Sequence, residues 1–347
     1  MSWTIPEIKS PCSTIRYQAL ERQSRLTKPP GSLGRLEDLA VQLAAMQSKT
    51  KPAVDRVWIS VFAADHGIAE EGVSAFPQAV TRLMLRNFVH GGAAISVLAR
   101  HLGASLEVVD VGVAEPLENC KEIIIARAGN GTANFVKQAA MNESQLAIAL
   151  SAGAEAAQRA IEYGAEVFLG GEMGIANTTS ASAMACALLN AEPDALTGPG
   201  TGLDDAGVAH KRGVITLALR NHAAGLHEPM EILRRLGGFE IAALVGAYLQ
   251  SAALQLPTLV DGFISSVAAL LAFNLRPACA EWLIFSHRSA EPGHRRVLDA
   301  LDAKPILDLS MRLGEASGAA LALPILRAAC ALHGEMATFT EAGIPTE

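Results

Sequence analysis

Short unbroken apolar runs recur along the chain, and nearly every one stops at small or polar residues. VWISVFAAD (57–65), LEVVDVG (106–112), EVFLGG (166–171), PTLVDG (257–262), EWLIFSH (281–287) and PILDLS (305–310) share this form, and EIIIA (122–126) is a weaker instance. A run of this kind, without polar alternation, predicts a strand buried on both faces, as in a parallel sheet. Helical periodicity fills the intervals, most clearly at 78–90, 143–163, 178–189, 239–254, 263–273 and 321–333. Strands alternating with helices predict an α/β fold: a parallel sheet with helices on both faces, Rossmann-like and three-layered. Such sheets bind ligands beyond the carboxyl ends of their strands. Asp65-His66-Gly67, Gly170-Gly171-Glu172, Asp261-Gly262, Ser286-His287 and Leu313-Gly314-Glu315 all fall there.

The two ends of the chain carry helical patterns without strands. Leu33, Leu36, Leu39, Val41, Leu43 and Met46 form one stripe after the break at Pro29-Pro30-Gly31. Residues 1–50 and 326–347 are therefore expected to join as a small helical domain beside a large α/β domain of 51–325. Half of the 347 residues are apolar and 18% are charged, which suits a large core. The net charge of −7 gives no electrostatic footprint for nucleic acid or an anionic membrane. A local anion site is still open to such a chain, because loop amides and helix N-termini hold anions without net positive charge. The five cysteines (Cys12, Cys120, Cys186, Cys279, Cys330) are irregularly spaced and form no CxxC. Neither a disulfide framework nor a zinc site is expected, and a reducing compartment fits. The opening MSWTIPEIKSPC has no secretory pattern. The longest apolar stretch, at 263–273, is too short to cross a bilayer. The expected location is the cytoplasm, with no membrane span.

Five segments could carry chemistry. In GGEMGIANTTSASA (170–183) a strand passes through a glycine-bearing turn into a hydroxyl-rich helix start, which suits a phosphate and equally suits plain capping. TGPGTGLDDAGVAHK (197–211) sets Gly198, Gly200 and Gly202 in a loop ahead of Lys211; it reads as a surface loop or an anion cradle. It is neither a Walker A loop nor a dinucleotide GxGxxG. FSHRSAEPGH (285–294) spaces His287 and His294 seven apart, unlike a zinc site, and offers Arg288 and Ser289 as anion or ribose contacts. In MRLGEASGAALALPI (311–325), Glu315 lies beside a helix start, where a carboxylate ordinarily offsets the helix dipole. Gly314, Gly318 and the apolar surroundings make it a candidate proton acceptor as well. DHGIAEEGVSAFPQAVT (65–81) carries Phe76 toward Met84, a possible wall for an aromatic ligand; its Asp65-His66 pair reads as turn chemistry or a metal pair.

Taken in order, KPPGSLGRLEDLA (28–40), ADHGIAEEGVSAFPQ, GGEMGIANTT, TGLDD, LGGFEIAALVGA (236–247), LVDGF, SHRSAEPGH and MRLGEASGAALALPI resemble the nicotinate-nucleotide–dimethylbenzimidazole phosphoribosyltransferase family across residues 28–330. The resemblance implies transfer of 5-phosphoribosyl from nicotinate mononucleotide to 5,6-dimethylbenzimidazole. The products would be α-ribazole 5′-phosphate and nicotinate, for the lower ligand of cobalamin. It also implies a homodimer, no metal and no cofactor. Glu315 takes the place of the family's catalytic glutamate, and Glu172 that of a second pocket glutamate. Phosphate and ribose contacts carry over to Gly174, Asn177, Thr178, Gly200, Gly202, Lys211, Gly262 and Ser289. Phe76, Met84 and Leu313 would line the acceptor pocket. Pro199 departs from the family, which often has a basic residue there. Two rival readings remain: a nucleotide-binding regulator, and a dehydrogenase, which the missing GxGxxG disfavours.

Overall fold

The computed structural model describes residues 3–117 and 120–345. Its centre is a sheet of six parallel strands: β1 (Val57–Ala64), β2 (Ser105–Gly112), β3 (Ile123–Ile125), β4 (Val167–Met173), β5 (Thr258–Val260) and β6 (Leu283–Phe285). In space they run β3-β2-β1-β4-β5-β6. The chain builds outward from β1 to one edge, returns, and builds outward from β4 to the other. That reversal opens a crevice at the carboxyl ends of β1 and β4. The two strands run level, with Val61 beside Gly171 and Ala63 beside Met173. Both are buried almost end to end, as their unbroken apolar runs predict.

Twelve α-helices appear among the described residues: α1 (Ser13–Arg25), α2 (Arg35–Gln47), α3 (Ala79–Val89), α4 (Ala94–Leu102), α5 (Glu143–Tyr163), α6 (Asn177–Leu189), α7 (Asp205–His222), α8 (Pro229–Leu236), α9 (Phe239–Ala253), α10 (Phe263–Leu275), α11 (His294–Ala300) and α12 (Ser317–Glu335). α5, α9 and α10 pack together over one face of the sheet, and α3, α4 and α12 cover the other. α1 packs on α2, and α2 on α12. The Arg22 guanidinium ties this corner by donating to the carbonyls of His333 (2.6 Å), Gly334 (3.0 Å) and Met336 (3.3 Å). Ala19, Val41 and Ala44 form a small apolar cluster of their own there. Residues 1–2 and 346–347, the outer ends of the expected helical domain, lie outside the described residues.

Two expectations need correction. PILDLS is not a strand of the sheet. Leu307 makes a single parallel bridge with His287, and the residues that follow turn to solvent, with Leu309 56% exposed. A strand needs a buried face along its length, and this segment has one only at its start. The apolar stretch at 263–273 is also not the longest apolar helix. α12 is long and apolar enough to cross a bilayer by composition, yet its apolar residues are buried against α2, α4 and β4, as in a core helix.

Candidate active site

A cavity of about 360 Å³ opens at the carboxyl ends of the strands, a size that fits a small-molecule site. Its wall is made by the segments after β1, β4, β5 and β6 and by the loop before α12.

One side gathers a helix start, a glycine loop and a buried lysine. After β4 the backbone turns through Gly174 and a left-handed Ala176 (φ 76°) into α6. The buried Thr81 hydroxyl accepts the Ile175 N–H at 3.1 Å and fixes the turn. Asn177 and Thr178 then face the cavity at the helix N-terminus, where partial positive charge accumulates. Behind Thr178 lies Lys211, fully buried, whose ammonium donates to Thr178 Oγ1 at 2.7 Å. Burial pulls its pKa down to about 8, with Glu291 opposing the shift. A side chain at Gly200 would collide with Thr178 Oγ1 and crowd the Lys211 ammonium, so the glycine lets the loop close onto both. Arg312 Nη1 donates to Gly200 O at 2.8 Å. Glu291 also faces the cavity; burial raises its pKa, while Lys211 and Arg312 pull it back. Gly262 and Ser289 complete this side. Ser289 is held by His294, whose Nδ1 accepts the Ser289 N–H at 2.8 Å while Nε2 bonds the Ser266 hydroxyl at 2.9 Å. Accepting at Nδ1 makes this histidine a neutral Nε2–H tautomer. Burial holds its pKa down at about 3, which fits.

The other side gathers carboxylates. Gly314, Glu315 and Ala316 are consecutive left-handed residues, at φ 88°, 65° and 66°. For the two non-glycine residues that backbone is costly and must be held by its surroundings. It is held against β4: a Cβ on Gly171 would lie 2.6 Å from Glu315 C and Ala316 N, so only glycine lets the segment cross there. The result aims a buried carboxylate into the cavity. Glu315 is 5% exposed, and its Oε2 has no partner among the described residues. Burial pushes its pKa up to about 7; the Ile95 N–H at the start of α4 opposes this, and Asp261 adds to it. At the adjacent start of α12 an amide serves Asp261 instead. Ala319 N–H donates to Asp261 Oδ1 at 2.9 Å. Even with that support, burial lifts Asp261 to about 6. Glu172 accepts a hydrogen bond from the Asn177 amide. Burial, then the charges of Glu240, Asp261 and Glu315, hold its pKa well above the usual carboxylate range. Both pocket glutamates are thus pushed up, Glu172 by burial and its acidic neighbours and Glu315 chiefly by burial.

Most of the residues singled out in the sequence come together here. Glu315, Glu172, Gly174, Asn177, Thr178, Gly200, Gly262, Ser289, Phe76, Met84 and Leu313 all line the cavity. Lys211 does not reach its surface and acts through Thr178. Gly202 does not line it either; its φ of 109° needs glycine, but it faces open space. Arg288 turns away and pairs with Asp308. His66 bonds Glu240 at 2.7 Å, both fully buried, and so joins the end of β1 to α9. Among the described residues no three His, Cys, Asp or Glu side chains converge as a metal would require. Glu291, Arg312 and Ile95 escaped the sequence reading, and Asp261 was placed only at a strand end. Asp261 and Glu291 stood inside flagged motifs, but their partners lie far away in sequence.

A family model described as Phosphoribosyltransferase matches residues 8–344. The nicotinate-nucleotide–dimethylbenzimidazole phosphoribosyltransferase of Azotobacter vinelandii (strain DJ / ATCC BAA-1303) is 64% identical over 343 residues, covering 99% of this chain and 97% of that protein. The protein of the same name from Pseudomonas aeruginosa (strain UCBPP-PA14) is 62% identical over 330 residues, covering 95% and 94%. The crystal structure of CobT from Thermus thermophilus superposes with a TM-score of 0.92 at 44% identity, covering 96% of this chain and 100% of that one.

Proposed function

Because the chain belongs to the nicotinate-nucleotide–dimethylbenzimidazole phosphoribosyltransferase family, we propose that it transfers 5-phosphoribosyl from nicotinate mononucleotide to 5,6-dimethylbenzimidazole, with Glu315 as the base. The observation that carries the role of Glu315 is its buried, unpartnered Oε2 at the cavity wall, with a pKa near 7. Nicotinate leaves a pyridinium as a neutral ring nitrogen, so departure needs no general acid. The acceptor attacks the anomeric carbon through one ring nitrogen, and the other loses its N–H proton to Glu315. A base matched to the working pH suits that transfer. Attack opposite the leaving group inverts the sugar from β to α, giving α-ribazole 5′-phosphate, the nucleotide of the cobalamin lower ligand.

On this reading the donor's phosphate and ribose sit against the α6 start, the glycine loop and Ser289, with Lys211 behind Thr178 supplying positive charge. Phe76, Met84 and Leu313 wall the flat acceptor. Glu172, held by the Asn177 amide, lines the pocket beside Glu315. Gly202 is left with loop shape alone. The reaction needs no cofactor. The Arg22 clasp supports a small helical domain of 1–50 with 326–347 beside a domain of 51–325. Homodimerisation and a cytoplasmic location belong to the same reading. The experiment is direct: mix the protein with both substrates and follow free nicotinate and the new nucleotide. Binding without release of nicotinate would sink the reading and favour a nucleotide-binding regulator.

A further inference from the structure

The two apolar lips of the cavity cannot hold themselves in place by burial. Phe76 is 53% exposed and Leu313 57% exposed, and they come from opposite ends of the chain. Both are tied instead to consecutive residues of the glycine loop. Thr201 Oγ1 accepts the Ala75 N–H at 3.0 Å and shares a hydrogen bond with the Ser74 hydroxyl at 3.1 Å. Ser74 Oγ in turn accepts the Phe76 N–H at 3.3 Å. On the other side Arg312, which precedes Leu313, grips Gly200 O at 2.8 Å. A threonine hydroxyl has one proton and two lone pairs. With Ala75 and Ser74 already on Oγ1, at most one of the three is left for a ligand.

We propose that Thr201, although it belongs to the loop on the donor side, is a positioning residue for the aromatic acceptor. Its hydroxyl sets the Phe76 wall, while Arg312 sets Leu313 from the neighbouring residue. The role rests on the transferase reading for the identity of the acceptor, and on the hydrogen bonds alone for the geometry. Thr201→Val keeps the shape and removes the latch. Two hydrogen bonds at stake correspond to roughly tenfold in acceptor affinity.

The test measures KM for each substrate separately in the unsubstituted protein, Thr201→Val and Thr201→Ser. The expected result for Thr201→Val is a KM for dimethylbenzimidazole raised about tenfold. Its KM for nicotinate mononucleotide stays within about twofold and kcat at saturation is nearly retained, as expected when only ground-state binding is lost. Thr201→Ser, which keeps the hydroxyl, restores the acceptor KM. Ser74→Ala shifts it in the same direction by less. A rise confined to nicotinate mononucleotide, an equal rise for both, or no change overturns the proposal. Equilibrium binding of dimethylbenzimidazole alone reads the same contact without turnover. If the unsubstituted protein releases no nicotinate, the transferase reading fails, while unchanged dimethylbenzimidazole binding in Thr201→Val still decides against the latch.

Discussion

α6 and α12 both start from a left-handed alanine at the cavity, Ala176 at φ 76° and Ala316 at φ 66°. Alanine has no side chain that can cap, so the first amides of each helix need acceptors from elsewhere. In α12 the fold supplies one: the Asp261 carboxylate, from the end of β5, accepts the Ala319 N–H. In α6 the backbone meets part of the need, Gly174 O and Ala176 O taking the N–H groups of Asn177 and Thr179. No side chain among the described residues takes the rest, and Asn177 and Thr178 open onto the cavity. Two nearly identical local starts thus acquire different uses. The α6 start meets a carboxyl only through the Asn177 side chain, which donates to Glu172, whereas a carboxylate takes an α12 amide directly. The α12 start, with one amide so occupied, also carries a carboxylate of its own, Glu315, at the cavity wall.

The comparison breaks most visibly at Glu315. Glu315→Gln keeps the shape of the α12 start and removes the carboxylate proposed as the base. The expected outcome is a kcat lower by about 100-fold or more with donor binding nearly unchanged, checked by steady-state kinetics and titration with nicotinate mononucleotide. The unsubstituted protein should show an acidic limb in its rate profile. As the proposed base Glu315 would work deprotonated, with activity present above its pKa and lost as pH falls through about 7. A profile flat between pH 6 and 8 would remove Glu315 from the rate-determining proton transfer.

At the α6 end, Lys211→Met removes the charge behind Thr178. The donor KM should rise roughly tenfold, the scale of a hydrogen bond to a charged group, with the acceptor KM little changed. A kcat loss as large as that of Glu315→Gln would show that the two helix starts are not separate in function.

The smallest and most discriminating change is at Asp261. Asp261→Asn keeps an oxygen for the Ala319 N–H but removes the negative charge that helps hold the proton on Glu315. The acidic limb should therefore move to lower pH with little loss of thermal stability. Asp261→Ala instead leaves the α12 amides without their acceptor, as in α6, and should cost about 1 kcal/mol, seen as a lower Tm. A limb unmoved by Asn would confine Asp261 to a structural role.

The parts of this arrangement that were legible in the sequence are those set by local pattern. β1, β2 and β4 announce themselves as apolar runs; Gly171 stands in its motif because backbone passes close there, and Gly314 because its φ is left-handed and Glu172 lies against it. PILDLS carries the same signal as a strand, yet the sheet ends at β6 and the segment adds only one bridge. α4 and α8 are short, nine and eight residues, and a few turns give little periodicity to read; Pro229 at the first turn of α8 was the usable cue. Asp261 acts across 58 residues and His66 finds Glu240 across 174. Long-range pairing of this kind leaves no local pattern, so a carboxylate that caps a distant helix looks the same in sequence as one facing water. The pKa of Glu315 was undecidable for the same reason: it is set by burial and by neighbours distant in sequence, Ile95 and Asp261.

Glu315 is also the last member of the site in chain order. The α6 start, the glycine loop, Lys211, Gly262 and Ser289 all precede it, Lys211 by about a hundred residues. At 5–20 residues per second, a ribosome takes roughly 5 to 20 seconds to travel from that lysine to the glutamate. The elements that would receive the nucleotide are therefore synthesised before the group that would act on it.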